Sequence, residues 1–245
     1  MEDFQKKMVV SFVNELENEN MKEFAILIIK ELPDYWWNTP ASSSGKYHPQ
    51  YTCSEYGLFY HSYAVAQFAI WAMSLEQYIN KFSSIERDAI KIVSFTHDGL
   101  KHGVGESEKK NTIWEHPLLI AERYKSYKGK VDVNDNIIDF MAEIVSSHMG
   151  QWNESKKNKV ILPKPITEAQ QLVHIFDYFA SRKICEIHFE DVAPIKKETV
   201  ESFRINFGKH SGEMLTDVIK SDPSYISWLK ENYDKEPLRT LLTQV

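Results

Sequence analysis

At five places along this chain a side chain of metal-ligand type interrupts an apolar stripe of helical period. They are His61, the adjacent pair His97 and Asp98, His116, His148 and Asp177. His61 has Leu58, Ala64, Val65 and Phe68 three, four or seven residues away, and His148 follows Ile144 and Val145. Asp177 shares a face with Val173, Ala180 and Ile184, and the His97–Asp98 pair closes the apolar run from Ala89 to Phe95. Such spacing puts each position on the inward side of a different predicted helix. A lone histidine there is ordinarily a hydrogen-bonded core residue. An ionised carboxylate there is far more costly unless it has a partner. One metal cluster at the convergence of these positions would satisfy all of them.

The spacing predicts a mostly helical chain. Residues 1–32 read as helical, with Phe4, Met8, Val9, Phe12 and Leu16 in register and Pro33 as the stop. Further helices are expected over 56–74, over 84–97 behind the capping signal SSIE, over 134–148 with Gly150 as the stop, and over 167–187. Pro117 places His116 at or just before a helix start. Lys159 to Leu162 offers the one short strand signal. The loop 33–55 carries Trp36, Trp37, Tyr47 and Tyr51, rings that must be pinned against the core or a ligand. The fold class is therefore all-α: a catalytic helical domain over 1–190, then a small C-terminal accessory module over 191–245 that begins with the linker-like FEDVAPIKK.

Composition narrows the function classes. A net charge of −6 argues against a broad basic face for coating nucleic acid, though not against a local groove. No apolar run approaches a membrane span. The N-terminus lacks a signal-peptide pattern, and Cys53 and Cys185 read as reduced thiols of a cytoplasmic protein. No phosphate-binding glycine loop and no nucleophilic serine elbow is present.

The order H…HD…H…H…D, in the words FYHSYAVA, FTHDGLK, WEHPLLIAERY, SSHMGQW and HIFDYFASRK, resembles the HD-domain superfamily of metal-dependent phosphohydrolases, with a phage-type flavour, over roughly residues 40–190. The resemblance implies an HD-domain helical bundle and a binuclear site with Asp98 bridging two divalent ions. His61, His97 and Asp177 would complete one ion's shell, and His116 and His148 would serve the other. Mn, Fe, Co, Ni and Zn all suit such donors. It further implies hydrolysis of phosphoester bonds in nucleotides or single-stranded nucleic acid, by a 3′–5′ exonuclease, phosphodiesterase or nucleotide phosphohydrolase reaction in which a water shared by the metals attacks phosphorus. The same array also serves mixed-valence di-iron oxygenases, and a non-catalytic nucleotide-binding role stays open beside both.

Around that site Lys101 reads either as a phosphate ligand acting with Asp98 in catalysis or as a solvated surface lysine. Lys46 and His48 are candidates for substrate phosphate and Tyr47 for a base, against a plain surface loop. Arg182 reads as a phosphate ligand at the rim or as a structural ion pair. Trp152 is better read as core than as a base-pocket wall. In the C-terminal module FGKHSG, DPSYISWL and PLRTLL resemble the domain that follows the catalytic part of exodeoxyribonuclease X-like proteins, over about 40 residues. There Lys209, His210, Tyr225 and Trp228 would offer charge and stacking surface, with Trp228 better read as filling the module's own core.

Overall fold

The computed structural model describes residues 1–42, 45, 47–105, 112–183 and 198–244. Lys46, Cys185 and residues 184–187 lie outside them; the helix expected over 167–187 already ends at Ala180. The described residues form α-helices and one 3-10 turn, with no strand among them. Two compact units separate, Met1–Ile195 and Lys196–Val245.

The first unit is built around α4 (Gly57–Met73), which is buried on nearly every side. It packs against α6 (Ser84–Thr96) and α9 (Glu168–Ala180), with α8 (Asp135–Ser146) between α6 and α7 (His116–Lys125). The short α3 (Asp34–Asn38) buries Trp36 and Trp37 against Phe59, the former also against Phe95, so those loop rings are pinned to the core. α4 begins where the main chain is crowded: a Cβ on Gly57 would stand 2.0 Å from the Thr52 carbonyl oxygen, so only glycine fits. Ser83 and Glu86 close the expected capping box ahead of α6, and Thr167 and Gln170 close another ahead of α9.

Two expectations are corrected. Residues 1–32 are two helices, α1 (Asp3–Asn14) and α2 (Glu19–Lys30), broken at Glu15–Asn18. The break is fixed from α6. Asp88, fully buried, accepts the main-chain N–H groups of Glu17 and Asn18 at 2.8–3.1 Å, while Arg87 pairs with Glu17 and Lys91 donates to the Glu15 carbonyl. Residues 159–162 form no strand, because their polar groups are taken elsewhere. The Trp114 indole donates to the Val160 carbonyl, and Asn153 exchanges two hydrogen bonds with Leu162.

The second unit closes its own small core from Phe203, Ile205, Leu215, Val218, Ile226, Leu229, Leu238, Leu241 and Leu242. Its helices are α10 (Leu215–Ser221), α11 (Pro223–Asn232) and α12 (Leu238–Leu242), preceded in the first unit by the single-turn α5 (Glu76–Ile79). Among the described residues no helix is long and apolar enough to cross a membrane.

Candidate metal centre

Five elements deliver six side chains to one place. His61 comes from the middle of α4, His97 caps the C-terminus of α6 and Asp98 follows it. His116 opens α7, His148 lies two residues past the end of α8, and Asp177 sits on α9. All four histidines and Asp98 are buried. Asp177 is the exception, with its side chain 24% exposed against 5% for Asp98, so the cluster opens to solvent on the α9 side.

The Asp98 carboxylate divides the cluster. Its Oδ2 faces His61 Nε2 at 3.8 Å and His97 Nε2 at 3.6 Å. Its Oδ1 faces His116 Nε2 at 3.1 Å and His148 Nε2 at 3.9 Å. Asp177 Oδ1 stands 3.0 Å from His61 Nε2 and 3.7 Å from His97 Nε2. Donor atoms of His61, His97 and Asp177, and of His97, Asp98 and His148, lie mutually close enough to hold an ion.

The imidazole orientations fit a cation. Nδ1 of His97, His116 and His148 each meets the carbonyl three residues earlier, on Ser94, Ile113 and Val145, at 2.9, 2.8 and 2.7 Å. A carbonyl can only accept, so each Nδ1 carries the proton and each Nε2 turns a lone pair into the cluster. Two of those Nε2 atoms, on His116 and His148, come within 3.2 Å of each other. The His97 Nε2 is buried with no hydrogen-bond partner. His61 differs: its Nε2 faces Asp177, and its buried Nδ1 has no partner.

Electrostatics point the same way. Burial lowers His97, and burial with His116 nearby lowers His148 to about 3, so both are neutral donors at neutral pH. Burial pulls Asp98 and Asp177 upward. The Lys101 ammonium outweighs it for Asp98, and the hydrogen bond with His61 outweighs it for Asp177, so both carboxyls stay ionised.

Around the cluster, Lys101 is no solvated surface lysine: its Nζ lies 2.6 Å from Asp98 Oδ2. The His48 ring is 6.2 Å from that of His61, and burial lowers its pKa to about 4. Arg182 forms no ion pair with a described carboxylate; its guanidinium lies over the Tyr178 ring at 4.1 Å. Trp152 is not core. It is 46% exposed and stacks on Tyr178, which lies one residue past Asp177. Sequence reasoning passed over His174, whose Nδ1 meets the His148 carbonyl at 2.8 Å and whose ring occupies the space a Gly150 side chain would need. Its position three residues before Asp177, on the same side of α9, was the available signal.

In the C-terminal unit Trp228 is 51% exposed, not core, and stacks on Tyr225. Lys209 and His210 are both paired with Asp222, at 2.6 and 3.1 Å, which neutralises much of the charge expected there.

The exodeoxyribonuclease X-like C-terminal family matches residues 205–234. That stretch contains the FGKHSG and DPSYISWL words, while the closing PLRTLL lies beyond it. No curated protein and no solved structure matches the chain. The chain thus joins a helical unit, carrying a buried His/Asp cluster able to hold metal ions, to a module similar to the C-terminal part of exodeoxyribonuclease X-like proteins.

Proposed function

We propose that this chain is a metal-dependent phosphohydrolase of the HD type, hydrolysing phosphoester bonds of nucleotides or nucleic acid. The observation that carries the reading is the division of Asp98, one oxygen toward His61 and His97 and the other toward His116 and His148. A carboxylate between two pairs of histidines suits a pair of divalent transition ions. His61, His97, Asp98 and Asp177 would hold one, and Asp98, His116 and His148 the other. Bound there, such ions supply Lewis acidity, polarising a phosphoryl group and acidifying water. The match of residues 205–234 to an exodeoxyribonuclease-type module supports a nucleic-acid or nucleotide substrate.

The chain's own residues do the rest. The i−3 carbonyls fix three imidazoles in one tautomer, so their donors need no reorganisation. Lys101, paired with Asp98 at 2.6 Å, would be free to meet a substrate phosphate oxygen as a point charge if cations compensated that carboxylate. His48, neutral at pH 7, offers a hydrogen bond at the mouth. Arg182 stands at the rim, and Lys46, outside the described residues, is proposed to join it.

The test is turnover of bis(p-nitrophenyl) phosphate, mononucleotides and short oligonucleotides by chain loaded with Mn²⁺, Co²⁺ or Ni²⁺. The expected result is metal-dependent release that disappears in Asp98→Ala while circular dichroism is unchanged. Turnover that persists in Asp98→Ala, or that needs no metal, would overturn the reading.

A further inference from the structure

Four side chains beside the cluster's open edge form one ladder. Trp152 and Tyr178 stack with ring centres 5.7 Å apart and planes 13° from parallel. The Arg182 guanidinium lies 4.1 Å from the Tyr178 ring centre and 5.7 Å from that of Tyr47. Each ring adjoins a cluster residue. Tyr178 follows Asp177; Trp152 lies four residues after His148 and meets His174 edge-on; Tyr47 precedes His48, whose ring faces His61. The Lys183 N–H donates to the Tyr47 carbonyl at 3.1 Å, tying the loop to the end of α9.

A stack that only fills a core hides its rings. Here the two outer ones are open, Trp152 46% and Tyr47 55% exposed. Between them Arg182 has no carboxylate partner among the described residues, and its Nε is buried without a hydrogen bond. Exposed aromatic rings on either side of a guanidinium with no described carboxylate partner suit two successive bases with a phosphate between them. A mononucleotide has one base for two platforms. A duplex hides its base faces and needs a broad basic surface, which a chain of net charge −6 does not favour.

We propose, resting on the phosphohydrolase reading above, that this ladder holds the unstacked bases of single-stranded nucleic acid, with Trp152 and Tyr47 as platforms and Arg182 on the intervening phosphate. The substrate class of the cluster is then a single strand fed across the ladder.

The test uses the full chain stripped with EDTA, so that binding is read without turnover. Fluorescence anisotropy compares a short labelled single strand with an abasic strand of equal length and label, with dTMP as competitor. The base-bearing strand is expected to bind about tenfold tighter than the abasic one. Trp152→Ala should abolish most of that preference and Trp152→Phe should keep it, with circular dichroism and Mn²⁺ uptake unchanged. Tyr47→Leu, at the more exposed end, is the second variant should Trp152→Ala fold poorly. Equal affinity for the two strands, a preference untouched by these variants, or dTMP competing as well as the strand would overturn the proposal. Hydrolysis of bis(p-nitrophenyl) phosphate by loaded chain is read separately. Loss of base preference with hydrolysis intact sinks only the ladder, and hydrolysis absent with base preference intact sinks only the phosphohydrolase.

Discussion

Lys101 and Asp98 are one turn apart and 2.6 Å in contact, with the lysine side chain 15% and the aspartate 5% exposed. With no cation loaded, that lysine is the nearest full positive charge to a buried carboxylate. Lys101→Met should therefore cost the metal-free protein about 3 kcal/mol, as breaking a buried pair does. Excess Mn²⁺ should restore most of the loss, since cations then compensate Asp98. Urea unfolding in EDTA and in Mn²⁺ measures both, and an equal loss in the two would make Lys101 purely structural. His210 behaves differently. Hydrogen bonding to Asp222 raises its pKa above 6.5. A raised folded value contributes stability that is complete below the unfolded pKa and is lost as pH rises through the folded one. The C-terminal unit should thus be more stable at pH 6 than at pH 8, and Asp222→Asn should bring the His210 NMR titration midpoint back toward 6.5. A midpoint unmoved by that change would contradict the pairing. Single residues also mark where sequence reading fails. Trp152 and Trp228 read as core, yet each is half exposed and lays its ring face on a half-buried tyrosine, Tyr178 of α9 and Tyr225 one turn back. Spacing alone shows burial preference, not which ring supplies the partner.

At the scale of elements, helix ends do the positioning. His97 and His148 stand where α6 and α8 stop, and each returns its Nδ1 proton to a carbonyl of its own helix's last turns, Ser94 and Val145. The stop after α8 depends on Gly150, whose φ is +59° and whose missing Cβ would lie 2.1 Å from His174 Cε1. Gly150→Ala should destabilise the fold by about 2 kcal/mol through backbone strain and displacement of His174. Because His174 meets the His148 carbonyl, Mn²⁺ affinity should also fall about tenfold. Calorimetric titration of the variant checks this, and unchanged affinity would free His148 from that support. The apolar period made α4, α6 and α8 legible within a residue or two, and the start of α9, which ends at Ala180 rather than running on to 187. It could not show the break between α1 and α2, because the cause lies about seventy residues away in Asp88. That residue is also a caution about buried carboxylates: it lies on the same helix as His97, is fully buried, and is satisfied by two main-chain N–H groups and the Lys91 ammonium.

For the whole molecule, the sequence made the all-helical class readable and brought the six cluster residues into view before any geometry, because burying two aspartates among apolar neighbours demands compensation. Their mutual distances, the single tautomer shared by three histidines and the open edge at Asp177 were not readable, since each depends on how separate helices cross. On the proposed reading these six side chains hold a pair of cations through Asp98. Isothermal titration of the EDTA-stripped full chain with Mn²⁺, beside Asp98→Ala, counts those ions. Two ions per wild-type chain are predicted, one on each side of the Asp98 carboxylate, with both lost or greatly weakened in the variant. A wild-type chain that binds no ion, or an Asp98→Ala chain that binds as many and as tightly, would contradict it.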